Sequence, residues 1–133
     1  MHAAEYSEVG VQARWLEPQR AQHAYDYALR FCHPRRYGLN EQSVANIDRL
    51  VIASYSVAQA WLNDRLPSIG TVQVVYSKSE VVVIEASVFL DRWQEIFVPS
   101  RDDAVVLHDS SATVLFYCHE EELEVGQRKD PYP

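Results

Sequence analysis

Four consecutive β-branched residues, Val81-Val82-Val83-Ile84, constrain this chain more than any other stretch. Successive side chains of a strand point to opposite faces, so a run that is apolar at every position has to be covered on both sides. That places it inside a sheet. Thr71-Val72-Gln73-Val74-Val75-Tyr76 precedes it across the polar link Ser77-Lys78-Ser79-Glu80, which fits a hairpin. Ser87 then offers an N-cap, and Phe89, Trp93, Ile96 and Phe97 recur at helical spacing until Pro99. Ala104–His108, Thr113–His119 and Leu123–Val125 read as three further strands, with Asp109-Ser110-Ser111 supplying a turn.

The first half of the chain is Ala-rich and reads as helical. Residues 1–16 are an irregular lead-in. Pro18 suits the first position of a helix, and Ala21, Ala24, Tyr25, Ala28, Phe31 and Cys32 form its apolar face up to His33-Pro34. Past the basic loop Pro34–Asn40, with Asn40 as a cap, Val44, Ile47, Val51, Tyr55, Ala58, Trp61, Leu62 and Leu66 keep a 3.6-residue period that predicts one long helix from Glu41 to Leu66. The expected architecture is α+β: two N-terminal helices, then an antiparallel sheet of about five strands interrupted by one short helix. With 47% hydrophobic residues in 133 positions, the chain is expected to form a single domain over 1–133, with a flexible tail at 128–133.

No apolar run approaches the ~20 residues of a spanning helix, and no secretory leader is visible, so the expected address is cytoplasmic and off the membrane. Cys32 and Cys118 then read as reduced, buried thiols. The formal charge of -7 is lopsided. Residues 1–66 balance seven acids with seven arginines, whereas residues 67–133 carry twelve acids against five bases. Such a field repels a phosphate backbone and attracts a basic protein surface, so nucleic acid is not the expected partner. The same excess would also serve solubility alone.

Candidate chemistry is sparse. Cys118-His119-Glu120 joins three competent ligand types, but strand alternation would send Cys118 and His119 to opposite faces, so no metal is expected there. No cofactor motif is present either. His108 and His119, each beside a carboxylate, fall near the ends of adjacent strands and could act as general acid or base at neutral pH. The densest feature is acidic: Glu120, Glu121, Glu122 and Glu124, with Asp102, Asp103 and Asp109 expected at the same end of the sheet. These seven residues are the candidate partner-binding set, since complementary potential speeds association and fixes register. Tyr37 with Arg35 and Arg36 forms a second contact candidate.

Trp93-Gln94-Glu95-Ile96-Phe97, Pro99-Ser100-Arg101-Asp102-Asp103 and Leu115-Phe116-Tyr117-Cys118-His119-Glu120 with Val125-Gly126 together resemble the C-terminal half of small bacterial immunity-type proteins. The resemblance covers under a third of the chain and excludes the N-terminal helices. It implies an intracellular inhibitor that neutralises a cognate toxin by binding it, and the acidic half would suit a basic toxin. Two alternatives stand beside it: a small enzyme using His108 or His119, and an oligomeric adaptor that self-associates through the long helix from Glu41.

Overall fold

The computed structural model describes residues 1–129. Its chain order is α1 (His2–Glu8), β1 (Arg14–Trp15), α2 (Pro18–Leu29), β2 (Val44–Val51), α3 (Tyr55–Asn63), β3 (Thr71–Val75), β4 (Val81–Glu85), α4 (Ala86–Ile96), β5 (Ala104–His108), β6 (Thr113–Cys118) and β7 (Glu122–Arg128). The class is α+β as expected, with a larger sheet: seven strands in the order β1-β4-β3-β5-β6-β7-β2. Every pairing is antiparallel.

Helices cover both faces of this sheet, which is what the unbroken apolar run in β4 requires. On one face Tyr6 of α1, Leu62 of α3, and Phe89 and Trp93 of α4 pack with Val72, Val74, Val82, Ile84, Val106 and Leu115. On the other, Ala21 and Ala28 of α2 and the following Phe31 and Leu39 pack with Val75, Val81, Val105, Val114 and Phe116. No helix among the described residues is long and apolar enough to cross a membrane.

The long helix expected from Glu41 to Leu66 does not form, and with it goes the self-association face assigned to it. Residues 44–51 form the edge strand β2, paired to β7. The reason is a bulge. Asn46 has a φ of 56°, and the register shifts between Ala45 and Asp48. The extra residue brings Val44 and Ile47, three apart, to the same side of the sheet and so imitates helical spacing. Helix starts only at Ser54, whose hydroxyl caps the Val57 N–H at 3.4 Å.

The N-terminal lead-in is ordered, not irregular. Tyr6 and His2 of α1 are buried, and the Tyr6 hydroxyl meets the Tyr76 hydroxyl at 2.8 Å, while Tyr76 donates to the Ile96 carbonyl at 3.0 Å. A seven-residue helix whose anchors are aromatic and polar-tipped leaves no apolar period to read. Helix α2 begins at Pro18 as expected but ends at Leu29, ahead of His33-Pro34, because Cys32 turns out to bridge Leu39. At the other end, Arg128 belongs to β7 and is buried, and the Lys129 N–H donates to the Ser43 carbonyl at 2.9 Å. The rest of the expected tail, 130–133, lies outside the described residues.

Candidate functional site

Antiparallel pairing decides which candidates can meet. The register Ala104↔Tyr117 and Leu107↔Val114 sets the C-terminal end of β5 against the N-terminal end of β6. His108 and Asp109 therefore lie at one end of the sheet, and His119 with Glu120 at the other. The expected pairing of the two histidines and the expected gathering of all seven acids are both corrected by this geometry.

At the first end, His108 is 1% exposed and its ring is fully engaged. Nε2 lies 2.7 Å from the Ile69 carbonyl, which can only accept, so Nε2 carries the proton and Nδ1 accepts from Ser111 Oγ at 2.9 Å. No lone pair is left for a substrate. Asp109 accepts from the Thr71 N–H at 3.0 Å and the Thr71 hydroxyl at 2.6 Å, and Gly70, at φ 74°, leaves room for it. Burial would raise the Asp109 carboxyl, but these bonds and Ser110 hold it below its ordinary value.

Asp109 is exposed, but two others of the seven acids are buried. Asp102, 4% exposed, accepts from the Val98 N–H at 2.8 Å, Arg101 Nε at 2.8 Å and His2 Nε2 at 3.1 Å. His2 Nδ1 reaches Glu80 at 2.9 Å, and its ring stacks on Tyr76 at 3.8 Å, so this cluster fastens α1 to the sheet. Glu124, also 4% exposed, accepts from the Leu39 N–H at 2.8 Å and Arg36 Nη1 at 2.9 Å. It ties the basic loop down on the sheet. Arg36, expected at a partner surface, is spent in that bond.

The remaining four acids do converge. The tight turn after β6, with Glu121 at φ 59°, brings Glu120, Glu121 and Glu122 beside Asp103 at the start of β5. Asp103 accepts from the His119 N–H at 2.9 Å and from His119 Nδ1 at 2.8 Å. That hydrogen bond raises the His119 imidazole above its usual value. The Tyr37 ring stands edge-on to His119 at 4.9 Å, the Tyr55 hydroxyl donates to Glu121 at 3.2 Å, and Arg49 pairs with Glu122. Glu120 is exposed, with no ion pair among the described residues.

Cys118 and His119 are not separated as strand alternation suggests. β6 ends at Cys118, so His119 is free to turn, and one donor atom from each of Asp103, Cys118 and His119 lies within 4.8 Å of the others. Three such donors are a possible zinc set. Yet burial pushes the Cys118 thiol up, away from the thiolate that binds metal or attacks carbon. A relay nucleophile needs its thiol and carboxylate on opposite ring nitrogens, whereas Cys118 Sγ, at 4.0 Å, and Asp103 both face Nδ1. Cys32, the other free cysteine, is raised by burial to about 11.

One feature escaped the sequence reading. A cleft of about 750 Å³ opens between α2 and the sheet, lined by Arg20, His23, Ala24 and Tyr27 of α2 and by Arg30 just past its end. Arg20, His23, Tyr27 and Arg30 follow one another at helical spacing beside the apolar stripe that holds Ala24, and that polar stripe was the available signal.

No protein-family model, no curated protein and no solved structure matches the chain. Fold and site together define the class: an α+β protein built on one seven-stranded antiparallel sheet, acidic at the β6–β7 turn and cationic in the cleft beside α2.

Proposed function

We propose that this protein is a non-enzymatic binding protein, an immunity-type inhibitor that neutralises a cognate basic toxin inside the cell through the acidic β6–β7 turn. The observation that carries the reading is the composition of that end. Asp103, Glu120, Glu121 and Glu122 adjoin Tyr37, Tyr55 and Val51, which are 58%, 44% and 59% exposed. Exposed tyrosines beside charge are the anchors protein interfaces favour, and a mixed rim of this kind fixes orientation. The contact set is thereby narrowed from the seven acids of the sequence reading to these four with the two tyrosines. Edge strand β2 ends at Val51 beside them, and its bulge with Asp48 and Arg49 guards the edge against unspecific pairing.

Affinity capture from the protein's native cells tests the reading. The wild-type chain should retain a basic polypeptide in near-equal amount, and Glu120→Lys/Glu121→Lys should lose it. Identical capture by both chains would contradict the proposal.

A further inference from the structure

The cleft beside α2 lies on the β1–β4–β3 half of the sheet, away from the β6–β7 turn, and the protein-binding reading gives it no task. We infer that it binds a small organic oxyanion, a molecule with a phosphate or carboxylate group on a partly apolar body.

Charge is the first observation. In a chain of formal charge -7, Arg36, Arg49, Arg65, Arg92 and Arg101 each have a carboxylate within 4.0 Å. Among the described residues, the arginines without one are Arg14, Arg20, Arg30, Arg35 and Arg128, and all of these except Arg35 line this cleft. The lining also holds Asp26 and Asp109, but Gln22 donates to the first at 2.9 Å and Thr71 holds the second. Arg128 is occupied in turn by the carbonyls of His108 and Ser111, at 2.8 and 2.6 Å. Arg30 lies over the Tyr27 ring at 5.5 Å. Arg14 and Arg20 keep their guanidinium groups unpaired among the described residues. Both also line the adjoining hollow at the mouth, where Glu17 is the one acid. Planar guanidinium forks match the geometry of phosphate and carboxylate, so the mouth is where the oxyanion would sit.

The floor is the second observation. Register places Arg14, Val83, Gln73 and Leu107 side by side across β1, β4, β3 and β5. On this face the neighbouring row Val75, Val81 and Val105 packs with Ala21 and Ala28 of α2, whereas Gln73 and Val83 are only half-buried and line the cleft beside the buried Leu107. Gln73 occupies its centre, half-buried on an interior strand where an apolar side chain would be ordinary, and its side-chain amide, open to the cleft, has no hydrogen-bond partner among the described residues. An unpaired amide between two apolar neighbours is a floor for a body with one polar edge. The cleft volume falls within the usual range for small-molecule sites.

Calorimetric titration tests the inference, with AMP as a phosphate ester, phenylpyruvate as a carboxylate, and inorganic phosphate as the anion without a body. Saturable binding of AMP or phenylpyruvate is expected, weakened by about tenfold or more in Arg14→Ala/Arg20→Ala and also weakened in Gln73→Leu. Whichever probe binds identifies the anion's source. Arg14 and Arg20 are exposed, so the double variant should melt like the wild type, and binding by the Glu120→Lys/Glu121→Lys chain should be unchanged. Binding of inorganic phosphate alone, no saturable binding of either organic probe at millimolar concentration, or binding that survives both cleft variants would each overturn it.

Discussion

A carboxylate's position along this chain does not say what it does; its partners do. Asp102 shows the buried case. Burial alone would raise its carboxyl, but Arg101, the Val98 N–H and His2 together hold it below its ordinary value. A depressed carboxyl contributes stability that is present above its unfolded value, near 4, and is lost as pH falls through the folded one. Asp102→Asn should therefore cost about 3 kcal/mol at neutral pH in denaturant unfolding, because His2 and Arg101 lose a buried partner. The gap between variant and wild type should close as the medium is acidified. Asp103 shows the half-buried case, where the effect is on titration more than stability. His119 is raised, so what its pairing contributes is present at acid pH and is lost as pH rises through the folded value. Proton NMR titration of Asp103→Asn should return His119 toward about 6.5, whereas an unchanged midpoint would deny the hydrogen bond.

Elements were legible where one local rule governs them. Val81–Ile84 announced a covered strand, Pro18 the start of α2, and the Phe89–Phe97 period the helix α4. Legibility failed where a backbone irregularity imitated another period. In β2 the left-handed Asn46 makes Val44 and Ile47 repeat every third residue, and no side-chain pattern reveals that φ. Helix α1 failed for the opposite reason, since His2 and Tyr6 are buried by hydrogen bonding and stacking and not by periodic apolar packing. The bulge yields a prediction of its own. Asn46→Val should destabilise the protein by about 1–2 kcal/mol, because a β-branched residue resists the left-handed region, while Asn46→Gly should be close to neutral. Equal effects of the two in thermal unfolding would contradict the role given to the bulge.

For the whole molecule, the presence of an acidic surface was legible but its place was not. The charge asymmetry pointed to an acidic surface, but strand β5 runs between Asp103 and Asp109 and holds them at opposite ends of the sheet, and only tertiary contacts bury Asp102 and Glu124. The opposite error applies to the first half of the chain. Its arginines balance its acids in sequence, yet the fold collects Arg14, Arg20 and Arg30 around one cleft and sends Arg36 and Arg49 to the glutamates of β7. Net charge by segment is blind to that sorting. The protein consequently presents two surfaces of opposite character, and the inhibitor reading depends on the acidic one alone. Stopped-flow association with the captured partner across a salt series addresses that dependence directly. The wild-type rate should fall by about tenfold or more between low and high ionic strength, and Glu120→Lys/Glu121→Lys should be slow and nearly flat throughout. A wild-type rate indifferent to salt and matched by the variant would contradict the account.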